Sequence, residues 1–511
     1  MTAEHLTDWS RYRHSVTYLE ALLSLEPERR LMRPPTDSVG APVGVRVGEA
    51  VGLSRCRRLL DFLGHPERDL RFVHVTGTSG KGSTVMHLHR LLHLHGRRVG
   101  SYVSPHISTP LERIMLGDGL IPLASWLDGI DKLKPFVQEE YRSGPFGLPS
   151  FHELLFALAL ETFRAHEVEL ALIEVGIGGR LDSTNLIPAP LVAIVTEVGL
   201  DHQELLGPDI PSIARDKAGI FKPGSLALTG TLRPEAEAEL LAEARRVGIP
   251  LWRLGPEETR AVTSCGAELT RASAHEAPLL GLAREAGRLW LETPRGSIEV
   301  PASGLMGEHQ QRNAALALCA ALEVAAVMGF ELHPERVVEG FATVFLPGRL
   351  ERVILEGGRR LWLDMAHNGD KIEGLCRHWE ALEGRGGGVV VSVASDKDVE
   401  AILSRLGRTF EHLYVTRPLA VPRKLFGPWA LLERARGMGL SASAWIDPRE
   451  AVEAAWRAHE GRVVVTGSTY LVGDLRRWFS PEHEVVSSGR LLPLEPSSVG
   501  AILSSCQKSH P

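Results

Sequence analysis

RFVHVTGTSGKGSTVMHLHR, residues 71–90, joins a β-branched apolar run to a glycine-rich turn and then to a helical pattern. The run Phe72–Thr76 predicts a buried strand, and Val85–Leu94 predicts a helix. Gly77, Gly80 and Gly82 therefore fall at a strand-to-helix turn, where backbone N–H groups and a helix N-terminus favour an anion. Glycine lets the backbone approach phosphate closely, Lys81 can neutralise β/γ oxygens, and Ser83 or Thr84 can offer a hydroxyl to Mg²⁺. The spacing departs from GxxxxGK[ST]: Val75 stands at the first glycine position and Gly82 follows the lysine. An ordinary glycine-rich turn is the alternative reading. Of the histidines that follow (His87, His89, His93, His95), only His89 and His93 stand four apart on one helix face. With no carboxylate beside them, a solvated helix is expected rather than a metal site.

Outward from this stretch, short β-rich runs (ELALIEVG, APLVAIVTEVG, GVVVSVA, HLYVTRP, RVVVTG) alternate with longer helical patterns. Alternation of this kind implies α/β domains built on mostly parallel sheets. At 511 residues the chain accommodates two or three domains. The Pro-Gly break at Phe345–Arg349 reads as an interdomain hinge. The expected division is a first domain over 1–344, with a loop insertion at about 27–48, a hinge at 345–350, a second domain over 351–484, and a poorly ordered tail over 485–511.

With 23% charged residues and a net charge of −6, the chain has no polyanion-binding signature, so no nucleic-acid partner is expected. The N-terminus lacks a signal-peptide core and the apolar runs fall well short of a bilayer span. A cytoplasmic protein with no membrane partner is expected. Cys56, Cys265, Cys319, Cys376 and Cys506 are scattered and form no CxxC pair, which predicts reduced packing residues.

VTGTSGKGST resembles the GTNGKGS loop of the folylpolyglutamate synthase / dihydrofolate synthase family of Mur-ligase-like amide ligases. Further blocks are similar in order: SYVSPHISTPLERI (101–114), EVGIGGRLDSTN (174–185), GLDHQELLG with IARDKAGIFK (199–222), GEHQQRNAALAL (307–318), LPGRLE (346–351), LDMAHN (363–368), SDKD (395–398) and VTGSTYLVGDLR (465–476). The resemblance spans about residues 10 to 478. It implies a Mur-ligase-like P-loop ATPase domain followed by a smaller Rossmann-like α/β domain.

The resemblance also implies roles. Gly77, Thr78, Ser79, Gly80, Lys81, Gly82, Ser83 and Thr84 would hold ATP phosphates, Asn313 the adenine, and Arg349 and Asp364 the nucleotide from the second domain, with His367 near the transferred phosphoryl. Two Mg²⁺ sites would draw on Ser83, Ser104, Glu174, His202 and Lys217, the last carbamylated into a carboxylate-like ligand. Ser150, Phe151, His152 and Glu153 resemble TFFE, and Arg180, Leu181 and Asp182 the RLD that binds dihydropteroate. Taken singly, Glu174 fits a salt-bridged strand end, His202 a capping residue, Lys217 an exposed helix lysine, Asn313 a surface amide and Arg349 a hinge ion pair. His152 departs from the second aromatic of TFFE, Ser79 from the loop's Asn, Met365 from a Gly and Gly369 from a Pro.

The chemistry expected is ATP-dependent addition of L-glutamate to dihydropteroate or to folates by a monomer, with Lys81, Lys217 and His367 catalytic. A related Mur-type ligase acting on another carboxylate and a non-catalytic nucleotide-binding homologue are the alternatives.

Overall fold

Phe72 to Thr76 are all buried in strand β1 (Arg71–Thr76), as a strand covered on both faces requires. The computed structural model describes residues 3–24, 47–257, 279–285, 287–354, 360–419 and 425–491. Two compact units emerge. The first comprises residues up to Pro105, Leu111–Gly304 and Glu308–Val344; the second comprises His106–Pro110, Leu305–Gly307 and the chain from Phe345 onward.

In the first unit β1 is followed by β2 (Val99–Tyr102), β3 (Ile114–Leu116), β4 (Gly119–Leu120), β5 (Leu170–Glu174), β6 (Val192–Val195), β7 (Leu226–Thr229), β8 (Leu251–Glu257), β9 (Leu279–Glu285), β10 (Arg288–Thr293) and β11 (Gly296–Val300). Among the described residues these form one sheet in the order β11-β10-β9-β8-β7-β6-β1-β5-β2-β3-β4. From β2 to β9 the neighbours are parallel, with antiparallel additions at both edges. Parallel pairing sends the carboxyl ends of β2, β5, β1 and β6 to one edge, where open α/β sheets place ligands.

The second unit carries a six-stranded sheet of β12 (Glu351–Ile354), β13 (Arg360–Leu363), β14 (Gly388–Val391), β15 (His412–Val415), β16 (Ala442–Ala444) and β17 (Arg462–Thr466), in the order β12-β13-β17-β14-β15-β16. Only β12 runs antiparallel to its neighbour. Alternate residues feed two cores: Val390, Tyr414 and Val465 one, Val389, Val391, Leu413 and Val464 the other. Ile107 packs into the first of these cores and Met306 against the second, which is why two short pieces of the 1–344 stretch group with this unit.

Three expectations change. Residues 485–488 are not tail: the helix Glu482–Ser488 continues the fold and buries Val485 and Val486. Residues 492–511, most of the 27–48 loop, Cys265 and Cys506 lie outside the described residues, whereas Cys56, Cys319 and Cys376 are buried free thiols. The helix Glu308–Met328 does have the length and apolarity of a membrane span. Its buried residues, from Gln310 to Ala325, pack instead within the first unit, against the helix Lys81–Leu94.

The third change concerns the histidines. His87, His89 and His95 are buried, not solvated, because the helix Lys81–Leu94 is covered by other helices and by the sheet. His87 Nδ1 donates to Ser83 O at 2.7 Å and Nε2 meets Ser303 Oγ at 2.8 Å. His89 lies between Gly117 O and Ser101 Oγ, the latter at 2.8 Å. Desolvation pushes both rings down to about 4 and His74 to about 3.

A histidine whose folded-state pKa is depressed binds fewer protons than the unfolded chain. Stability is therefore fully present above about pH 6.5 and declines as the pH falls towards 4, by up to about 3 kcal/mol per ring. Urea-unfolding midpoints should drop between pH 7 and pH 4.5, and His87→Gln should flatten that slope; a midpoint independent of pH would contradict the assignment.

Candidate functional site

The turn after β1 is shaped by glycine where side chains have no room. Gly80 caps the helix Lys81–Leu94 with φ +88°, and a Cβ there would lie 2.4 Å from Asn313 Oδ1. Gly77 has φ +150°, and a Cβ there would lie 1.9 Å from Thr196 Oγ1. The turn is fastened to the end of β6 through backbone groups. Thr78 N donates to Glu197 O at 2.7 Å, and Thr196 Oγ1 donates to Ser79 O at 2.6 Å. Thr78 Oγ1 contacts Gly199 O and N at 3.0 Å each.

Lys81 opens the helix, and its ammonium donates to Gly77 O at 3.0 Å, folded over the turn. Gly82, Ser83 and Thr84 complete the first turn; Thr84 N donates to Gly80 O at 2.9 Å, while the N–H groups before it lack an i−4 partner within the helix. Ser83 is buried, and so is Thr84, whose Oγ1 has no hydrogen-bond partner. The arrangement suits a polyphosphate: fixed donors, one cation and a spare hydroxyl.

Glu174 ends β5, pairs with Val75 of β1 and is buried, with Oε2 accepting from Ser104 N at 2.8 Å. Lys217 ends the helix Ile210–Lys217 and is buried, not the exposed lysine of the alternative reading. His202 follows β6 in a left-handed conformation, φ +52°, half-buried, and its N–H donates to Asp201 Oδ1. The loop after Glu174 is tied to the Lys217 segment: Arg180 N donates to Asp216 O at 3.0 Å, and Asn185 Nδ2 to Gly219 O at 3.0 Å. Burial raises the Asp216 carboxyl, an effect that the Lys217 charge opposes. Among the described residues no group of three or more His, Cys, Asp or Glu side chains is set to hold a metal. Glu174, His202 and the serine hydroxyls would nonetheless offer hard, mostly oxygen donors of the kind Mg²⁺ takes.

The substrate residues divide. Ser150 caps the helix Phe151–Ala165 in a capping box with Glu153. Glu153 is already committed: Arg55 Nη2 and Nε donate to its two oxygens at 2.6 and 2.7 Å, and Ser150 N donates at 2.9 Å. It is a buried, paired structural carboxylate and not a free ligand. Arg180 is exposed, with Glu243 3.8 Å away, and Leu181 is half-buried. Phe151 lies under the Arg113 guanidinium at 5.2 Å. His152 and Asp182 face each other at 3.5 Å. Burial pushes Asp182 up, but the His152 charge and hydrogen bonds from His152 and Thr184 hold it well below the usual carboxylate range.

Asn313 is buried against Gly80, its Nδ2 donating to Gln310 Oε1 at 3.0 Å, and is not a surface amide. In the second unit Asp364 accepts from Leu350 N at 3.0 Å and Ala366 N at 2.9 Å. Burial raises its carboxyl against the pull of Arg349. Arg349 keeps a buried Nε without a hydrogen bond. His367 Nδ1 donates to Met365 O at 2.8 Å, which turns Nε2 towards the Lys371 ammonium at 3.3 Å.

No family model matches the chain. It is 35% identical to folylpolyglutamate synthase of Lacticaseibacillus casei over 83% of this chain and 93% of that protein. It is 31% identical to dihydrofolate synthase/folylpolyglutamate synthase of Bacillus subtilis over 85% and 96%. The chain belongs to the folylpolyglutamate synthase / dihydrofolate synthase family. Solved members superpose along its length. Mycobacterium tuberculosis folylpolyglutamate synthase complexed with ADP and AMPPCP gives a TM-score of 0.73 at 29% identity, over 91% of this chain and 98% of that one. A structure described as an FPGS–AMPPCP–folate complex gives 0.69 at 30%, over the same shares.

Sequence reasoning missed Arg55, Tyr102, Thr184, Thr196 and Lys371. Arg55 and Glu153 are 98 positions apart, so no local spacing announces the pair. Lys371 alone carried a signal, standing one helical turn after His367. Removing Arg55 strands a carboxylate that is 5% exposed. Arg55→Ala should lower unfolding stability by about 3–5 kcal/mol, measured in urea, and Arg55→Ala/Glu153→Gln should recover part of it. A single variant as stable as the parent would refute the pairing.

Proposed function

We infer that the protein is an ATP-dependent ligase that forms an amide between L-glutamate and a pteroate or folate carboxylate. It would act as a dihydrofolate synthase on 7,8-dihydropteroate, as a folylpolyglutamate synthase extending folates through γ-links, or as both. The observation that carries the reading is the turn Gly77–Thr84, shaped as a polyphosphate cradle, in a chain that aligns over 83% and 85% of its length with synthases of this name.

In the first step a carboxylate oxygen of the acid attacks the γ-phosphorus of ATP, and the bond to ADP breaks. An acyl phosphate results. In the second step the glutamate amine attacks the acyl carbon, phosphate leaves and the amine loses a proton. Both steps concentrate negative charge, so preorganised donors matter most. Lys81 and the first-turn N–H groups neutralise the β/γ oxygens, and Thr84 or Ser83 supplies a hydroxyl. Asn313 is assigned to the nucleotide beside the turn, and Arg349 and Asp364 are assigned to ATP as the resemblance implies. His367, with Nε2 held as an acceptor, serves the transferred phosphoryl or the amine proton. Mg²⁺, held by Ser83, Ser104, Glu174, His202 and carbamylated Lys217, would screen the phosphate charge. Phe151, His152 and Arg180 are assigned to the acid, while Ser150, Glu153 and Asp182 shape its pocket.

Phosphate release should require dihydropteroate or a folate, L-glutamate and Mg·ATP together, with the glutamylated product identified by mass. Chelation by EDTA should stop it and added Mg²⁺ restore it. Lys81→Ala should lower kcat/KM on the order of 10³-fold without loss of fold. Turnover on another carboxylate but on no pteroate or folate would favour the related-ligase alternative, and wild-type activity in Lys81→Ala would favour a scaffold.

A further inference from the structure

The second unit repeats a device of the first. Lys81 opens its helix and reaches four residues back, its ammonium donating to Gly77 O. Lys371, in the first turn of the 15-residue helix Gly369–Glu383, reaches four residues back to His367, with its ammonium 3.3 Å from Nε2. Asn368 sets the backbone for this contact, because its Oδ1 accepts from Lys371 N at 3.0 Å and so caps the helix. A cation in the first turn stands at the positive end of the helix macrodipole, the end that disfavours it. Arg405 adds charge there: a Cβ on Gly369 would lie 2.9 Å from its Nη1, although Glu373 answers it at 3.3 Å from Nε. Asp370, in the same turn, is exposed. Gly369, where the family pattern has a proline, supplies this end with a backbone N–H that proline lacks. Helix end, ammonium and added donor all favour an anion.

The tautomer of His367 follows from its partners. A carbonyl oxygen only accepts, so Nδ1, 2.8 Å from Met365 O, carries a proton. An ammonium only donates, so Nε2 presents its lone pair. A ring protonated at Nδ1 alone is neutral, and its Nε2 has no proton to give to a phosphoryl oxygen, which is itself an acceptor. Protonating Nε2 would set an imidazolium against an ammonium 3.3 Å away. Two acceptors are joined by a donor between them. With three protons, the Lys371 ammonium can serve Nε2 and an anionic oxygen at once.

We propose that Lys371 is a further catalytic residue, the direct contact to the transferred phosphoryl, and that His367 acts through it as a positioning residue, a neutral acceptor that aims the ammonium. The proposal rests on the ligase reading above. No proton moves in this contact. The ammonium donates hydrogen bonds to a phosphoryl oxygen while the bond from the acid's oxygen to phosphorus forms and the bond to ADP breaks, so a fixed cation meets the charge as it spreads. Lysine suits the position because a compact charge with rotatable donors can satisfy a ring nitrogen and an oxygen at different angles, as a planar fork cannot.

The test is steady-state kinetics on the full chain, with the unfolding midpoint of each variant as the check on its fold. Lys371→Met should lower kcat about 100-fold while KM for ATP and for the pteroate or folate stays within about threefold. Lys371→Arg, which keeps the charge, should recover kcat to within about tenfold of the parent. His367→Gln, whose amide oxygen still accepts from the ammonium but cannot act as a base, should retain about tenfold more activity than His367→Ala. A ¹⁵N spectrum of the parent should show His367 protonated at Nδ1 alone. Parental kcat in Lys371→Met, or a doubly protonated His367, would overturn the proposal. Equal loss in His367→Gln and His367→Ala would overturn it too, by making the imidazole the base for the amine proton. A parent that turns over no pteroate or folate would sink the ligase reading itself, and the phosphoryl contact with it.

Discussion

The hydroxyl of Thr196 holds the carboxyl edge of the first unit's sheet in register. It donates to Ser79 O at 2.6 Å and lies 3.1 Å from Thr76 O, so one side chain bridges the last residue of β1 and the turn beyond it. Because Thr76 pairs with Val195, this contact repeats the sheet's own register one residue further on. The turn is thereby fixed by β6 and not only by the helix it introduces. Donors fixed before the ligand arrives need no reorganisation when charge develops, which is where electrostatic stabilisation gains its size. The Glu174 carboxylate and the Lys217 segment belong to the same edge because β5 and β6 flank β1 in parallel.

Charge inside the protein is organised around paired arginine. Glu153 with Arg55 and Glu351 with Arg476 are buried pairs, the latter 2% and 1% exposed, with Arg476 also donating to Ser108 Oγ at 3.0 Å. A planar guanidinium satisfies two carboxylate oxygens at once, which offsets desolvation that a point charge would leave uncompensated. Of the chain's nine lysines, Lys222 serves a different kind of partner. Lys222 donates to Asn185 O at 2.8 Å and to Ile187 O, and burial lowers its ammonium to about 8. Two carbonyls around one compact ammonium pin the turn that carries Asp182 and Thr184, a geometry for which three rotatable donors suit better than a fork.

What was legible in the sequence was what local periodicity and turn chemistry encode. RFVHVTG, ELALIEVG, APLVAIVTEVG, GVVVSVA, HLYVTRP and RVVVTG are β1, β5, β6, β14, β15 and β17, and the glycine turn lies between strand and helix as its composition requires. The solvation of polar residues was not legible, because it depends on what packs from elsewhere. His87 and His89 sit on a helix whose pattern resembles a wet face, yet Ser303 and Gly117 arrive from distant segments to cover them. The same holds for carboxylates. Glu153 and Asp182 stand at positions where a ligand contact is implied, and only the structure reveals Arg55, Thr184 and Ile177 already using their oxygens. Length misled as well. The helix Glu308–Met328 is apolar because it is internal, and composition cannot separate that origin from a bilayer span.

Departures from the family pattern fall where backbone, not side chain, bears the structural demand. Ser79 replaces an Asn in the turn, but the residue is held by its carbonyl, which accepts from Thr196, and by its bridge to Glu197. Any side chain compatible with that backbone leaves those contacts in place. Gly77 and Gly80 are the reverse case, since a Cβ at either would collide with Thr196 or Asn313. His152 is a third kind of position. It tolerates a change of chemistry because Tyr102 and Asp182 satisfy the two nitrogens that the imidazole introduces. A polar ring without those partners would leave buried nitrogens unsatisfied, at about 1–3 kcal/mol each. The substitution is therefore intelligible only as part of a group, and the hydroxyl of Tyr102 is the member that makes a histidine admissible there.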